Sequence, residues 1–152
     1  MDKGCLQPNV CQNGVWLDEL DSLGKHWVAF DGNEIVAAAR LTFHDSLDDL
    51  PHSREFSPYN LAIDLPYCFM SRLVVRKEFR GQGLARKLDC LRLREAKQRG
   101  AKAAIMLPTP YRVQAVLKLG FVHFGLSGVP AGEMPDLAIQ MHVMVHYLEQ
   151  LP

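Results

Sequence analysis

Neither sign of charge is in excess in this chain: Lys plus Arg and Asp plus Glu both number 17, so the formal net charge is zero. Such a chain exerts no global pull on nucleic acid or an anionic membrane surface, and any anion it binds must be met by local groups. Cysteine is sparse. Its four positions, Cys5, Cys11, Cys68 and Cys90, contain no C-x-x-C pair, which removes the common zinc and dithiol signatures and leaves reduced, partly buried thiols as the expectation. No apolar run approaches the ~20 residues of a membrane span, and Met1 to Val15 holds no basic stretch followed by an apolar one, so no secretory leader is read there. Internal repeats are also lacking. These absences predict a cytoplasmic protein with no metal, no membrane partner and no nucleic-acid partner.

What is present fits one compact domain. The 152 residues are 48% hydrophobic, enough to bury a core and too few for a second domain. Residues 1–15 are rich in polar and turn-forming types and are read as an irregular segment, with a single domain over 16–152. His26–Phe30, the turn Asp31-Gly32-Asn33 and Glu34–Phe43 form a predicted antiparallel hairpin. Residues 44–66, dense in Asp, Pro, Ser and His, read as a long excursion. Tyr67–Val75 is apolar and β-branched enough for a central strand. Leu84, Leu88 and Leu91 recur at helical spacing, which predicts a helix over Leu84–Arg99 closed by Gly100. A strand at Ala103–Leu107, a helix at Tyr111–Leu119, and strands at Phe121–Gly125 and Ala138–Tyr147 complete the pattern, the last with Ile139, Met141, Val143 and Val145 sharing one face.

The segment Arg80-Gly81-Gln82-Gly83-Leu84-Ala85 joins the central strand to the long helix. A phosphate needs several backbone N–H groups converging on it, and glycines let the main chain come that close. The helix start adds unpaired amides and a partial positive charge. Similar glycines also occur in ordinary strand-to-helix turns. The segment lacks the Gly-Lys-Ser/Thr of nucleoside triphosphate loops and the G-x-G-x-x-G of dinucleotide folds.

Leu73-Val74-Val75-Arg76-Lys77-Glu78-Phe79-Arg80-Gly81-Gln82-Gly83-Leu84-Ala85 resembles the central coenzyme A-binding motif of the GNAT N-acetyltransferase superfamily, and Leu117-Lys118-Leu119-Gly120-Phe121 resembles that family's closing Lys-x-Gly-Phe. The resemblance implies an α/β (α+β) fold with a mixed, mostly antiparallel central sheet, splayed strands and flanking helices. It implies transfer of an acyl group, most simply acetyl, from acyl-coenzyme A to a primary amine of a small molecule, by direct attack in a ternary complex and without a metal. By position, Leu73, Val74 and Val75 would meet the pantetheine arm, with the Leu73 amide as oxyanion donor. The amides of Gly81, Gln82, Gly83, Leu84, Ala85 and Arg86 would hold the pyrophosphate, and Arg80 and Arg86 would add charge.

Two positions depart from the family pattern. Val116 stands where many members carry a tyrosine as general acid, and Phe69 where many carry a glutamate as general base. Substitutes must be polar and near the thioester. Ser71, which strand alternation puts on the face of Leu73, and His44 at the exit of the hairpin are the candidates. His142 and His146 sit four apart in a predicted strand, a placement that does not make a zinc pair. The stretch before Trp16 is shorter than the family's opening strand and helices require, so the acceptor side is expected to be shortened or completed by a partner chain, as in a homodimer. Val36–Leu41 and Ser71–Val75 are also similar to the acyl-homoserine lactone and long-chain N-acyl amino acid synthases, which leaves a longer acyl donor as an alternative. A non-catalytic acyl-coenzyme A-binding module is the other.

Overall fold

A computed structural model describes residues 17–48, 50, 53–131, 133 and 139–148. The expected irregular stretch 1–15, together with Cys5 and Cys11, lies outside them, as does Ala138 at the predicted start of the last strand. Among the described residues, six strands form one sheet in the order β1-β2-β3-β4-β6-β5: β1 Lys25–Asp31, β2 Glu34–His44, β3 Tyr67–Val75, β4 Ala103–Met106, β5 Val122–Leu126 and β6 His142–Tyr147. Only β3 and β4 run parallel, so the sheet is mixed and mostly antiparallel. The β1–β2 hairpin turns at Gly32, whose φ of +58° suits a glycine.

Helix α1, Ser53–Phe56, is a short element inside the expected excursion. It is held from outside: Phe56 is buried and the Gly128 N–H donates to the Glu55 carbonyl. Helix α2, Leu84–Gln98, follows the glycine loop as its periodicity requires, and the chain leaves it through Gly100 at φ +76°. Helix α3 spans Val113–Leu117 and is preceded by a 3-10 turn, Pro110–Arg112. The expected single helix over Tyr111–Leu119 is thus split, because Pro110 at the first position fixes a tight opening turn.

The sheet separates two cores. On the α2 and α3 side lie Leu41, Cys68, Met70, Ala104, Met106, Val116 and Met144. On the other lie Phe56, Tyr67, Phe69, Ile105, Val143 and Val145. Each large side chain sealed this way contributes about 1.5–3 kcal/mol. Strand β6, between β4 and β5, buries Val143, Met144 and Val145 alike, so its predicted single apolar face becomes two.

Candidate functional site

Strands β3 and β4 part company. They pair only over Tyr67–Met70 against Ala103–Met106, after which β3 continues to Val75 while β4 gives way to Pro108, whose carbonyl turns to the His142 N–H 3.0 Å away. On its other side β3 stays bonded to β2, up to the Arg76 N–H on the Val36 carbonyl at 2.8 Å. Ladder bonds alternate, so the Val75 N–H and C=O and the Leu73 C=O face away from β2, across the widening gap. The Val75 carbonyl accepts from Arg80 Nε at 3.0 Å.

A bulge sits at the mouth of this gap. Arg40 pairs with Ser71 and Ala38 with Val74, so Arg72 and Leu73 together oppose Ala39. Arg72 has φ +55°, the left-handed region a bulge of this kind usually fills with glycine. The extra residue corrects the expected shared face of Ser71 and Leu73. Leu73 packs with Ala37, Ala39, Val75, Leu84 and Leu88 on the α2 side, whereas Ser71 faces the opposite side with its cross-strand neighbour Arg40.

That opposite side carries a charged network. Arg40, 1% exposed, donates to Ser71 Oγ at 3.0 Å, to Asp18 at 2.6 and 3.2 Å and to Asp21 at 2.7 Å, while Arg72 donates to Asp18 at 2.7 Å. Asp18 also caps the 3-10 turn Glu19–Asp21, accepting from the Leu20 N–H. Burial alone would raise the Asp18 pKa, but the hydrogen bonds and charges of Arg40 and Arg72 outweigh it and hold the carboxyl at about 2. A carboxylate so saturated is a poor proton acceptor. Asp18, Asp21 and Arg40 were not singled out from the sequence. The available signal was a lone arginine within the apolar run Val36–Phe43 and an Asp-x-x-Asp pair ahead of the hairpin.

At the loop, Gly81 has φ +79° and Gly83 φ +81°, and a Cβ at either would meet none of the described residues within 4 Å. The backbone there bends left-handed, clear of the described residues. The Lys87 N–H makes the first helical bond, to the Gly83 carbonyl at 3.0 Å, so the amides of Leu84, Ala85 and Arg86 precede any intrahelical partner. These donors, with exposed Arg80 and Arg86 beside them, suit a diphosphate-sized anion.

The other candidates lie elsewhere. His44 pairs with Tyr67, stacks on its ring at 5.0 Å and has Nε2 2.8 Å from Thr42 Oγ1. Tyr67 and Leu73 are about 20 Å apart along β3 at ~3.3 Å per residue, so the register separates His44 from the gap. Phe69 and Val116 are buried in opposite cores. His142 Nδ1 meets His123 Nε2 at 2.8 Å, and His146 packs edge-on against Phe121.

A family model described as the acetyltransferase (GNAT) family matches residues 6–121. No curated protein matches the chain in sequence. Among solved structures, a Corynebacterium glutamicum protein described as histone acetyltransferase HPA2 and related acetyltransferase is 22% identical, covers 88% of this chain and 69% of its own, and superposes with a TM-score of 0.59. A GNAT family acetyltransferase from Elizabethkingia anophelis with acetyl-CoA bound is 16% identical over 86% of this chain and 80% of its own, with a TM-score of 0.58. The IAA acetyltransferase from Bacillus cereus is 15% identical over 84% and 79%, with a TM-score of 0.56. These likenesses are of fold.

Proposed function

Because the chain belongs to the acetyltransferase (GNAT) family, we propose that it moves an acyl group, most simply acetyl, from acyl-coenzyme A to the primary amine of a small molecule. The observation that carries this reading is the parting of β3 from β4 beyond Met70, with the left-handed glycine loop at the head of α2 beside it. The slot offers main-chain partners for an extended amide-bearing arm, and the loop offers amides to a diphosphate.

In this reading Leu73, Val74 and Val75 align the pantetheine arm, and the amides of Gly81 to Arg86 hold the pyrophosphate with help from the guanidinium groups of Arg80 and Arg86. The Leu73 amide, at the bulge, faces the thioester oxygen. The amine nitrogen attacks the thioester carbon, the C–N bond forms, the C–S bond breaks, the nitrogen loses a proton and coenzyme A leaves as the thiolate. A donor placed where the oxyanion develops contributes about 10²–10³ in rate. With Phe69 and Val116 buried and His44 far along the strand, the proton leaves through water or the acceptor itself. The enzyme is read as cytoplasmic.

Incubation with acetyl-coenzyme A and a broad panel of primary amines should release free thiol. No release with any amine, from acetyl or longer acyl donors, would overturn the enzyme reading. Burial of both usual proton-transfer positions favours a second reading, a non-catalytic acyl-coenzyme A-binding module. Tight binding without turnover would select it.

A further inference from the structure

Asp89 and Arg92 lie one helical turn apart on α2, and both side chains are wholly buried. Two charges taken from water into a core cost several kcal/mol each unless their partners are well placed. Here the partners come from both sides of the gap. Arg92 Nη2 donates to Asp89 Oδ1 at 2.5 Å, while its Nη1 donates to the carbonyls of Arg40 and Ser71 at 3.0 and 3.1 Å, on β2 and β3 at the bulge. The second Asp89 oxygen accepts from Arg112, in the 3-10 turn that follows β4. One buried carboxylate thereby joins the β3 lip, the loop-bearing helix and the β4 exit, where the sheet itself no longer does. Among the described residues the buried Arg92 Nε has no hydrogen-bond partner.

We propose that Asp89, Arg92 and Arg112 are positioning residues that set the width of the acyl-donor slot. The inference rests on the donor reading given above. With Arg112 removed, the Asp89–Arg92 pair survives intact, but the β4 exit loses its tie and the slot relaxes outward. Donor binding then weakens, while the Arg40–Asp18 network on the other face of β3 keeps its contacts.

The test measures coenzyme A affinity by titration calorimetry, and donor and acceptor KM by thiol release, on the full chain. In Arg112→Ala, which keeps the fully buried pair and is therefore expected to fold, the coenzyme A Kd and donor KM should rise about tenfold, a coupling of ordinary size for a shared polar network. Acceptor KM should stay within about twofold, Arg112→Lys should recover part of the loss, and Asp89→Asn with Arg112→Ala should be less severe than the two single effects combined. A lower thermal midpoint with unchanged Kd, or strict additivity in the double variant, would overturn the proposal. Wild-type protein that binds no coenzyme A would instead overturn the donor reading, and this inference with it.

Discussion

Arg40 Nη1 stands 2.6 Å from an Asp18 carboxylate oxygen although the arginine lies inside the sheet, out of reach of water. The contact ties the segment ahead of the hairpin to the strand pair beside the slot. Together with Asp21 it satisfies a cation whose burial would be costly without acid partners.

Asp18→Ala should therefore destabilise the fold by on the order of 3 kcal/mol, since it strips a buried charge of two hydrogen bonds and leaves Asp21 as the remaining acid partner. Urea denaturation reads this directly. A loss below about 1 kcal/mol, the range of an exposed pair, would mean the network is not desolvated in solution.

Acid should expose the same residue. The Asp18 carboxyl is held at about 2 in the fold against an ordinary 3.8, so its contribution is complete above the ordinary value and disappears as pH falls through the folded one. Stability should fall between about pH 4 and pH 2, with a shallower slope in Asp18→Asn than in the parent protein. Equal slopes would refute the assignment.

Gly83→Glu should abolish coenzyme A binding. At φ +81° any side chain is strained, and this one would project a negative charge from the left-handed turn that heads α2. Calorimetric titration giving an unchanged Kd would remove the loop from the site.

Thiol labelling should divide two cysteines cleanly. Cys68 is buried, and burial pushes its pKa up to about 12 against the opposing charge of Arg92, whereas Cys90 is exposed on α2. Iodoacetamide at neutral pH followed by peptide mapping should modify Cys90 and reach Cys68 only after unfolding. Modification of both at similar rates would contradict the packing around β3.

Much of this molecule was legible because it is written locally. The hairpin, the central strand, the α2 periodicity and the Gly100 stop all come from turn chemistry and side-chain period, and the glycine loop is a continuous string of residues. What escaped depends on partners distant in sequence. Arg40 reads as a polar position on an apolar strand until Asp18 and Asp21 fold over it. Short α1 has no period to detect and is fixed by β5's exit. His44 looked close to the slot because it is polar and near the hairpin's end, but only the β2–β3 register reveals the distance. The opposed faces of Ser71 and Leu73 follow from a bulge whose left-handed residue is Arg72, where the usual glycine signal is missing.

That bulge acts on β3 as a single inserted letter acts on a reading frame. Upstream of Arg72, the even-numbered Cys68 and Met70 read into the α2 core; downstream, the odd-numbered Leu73 and Val75 do. Straightening the strand with Arg72 still in it would swap every downstream assignment, sending Leu73 and Val75 toward the charged network and Val74 into the hydrocarbon beneath α2, whereas deleting Arg72 would restore plain alternation with Leu73 and Val75 still facing α2. The left-handed turn that takes up this one extra residue thus decides which side chains the slot's wall presents to each half of the protein.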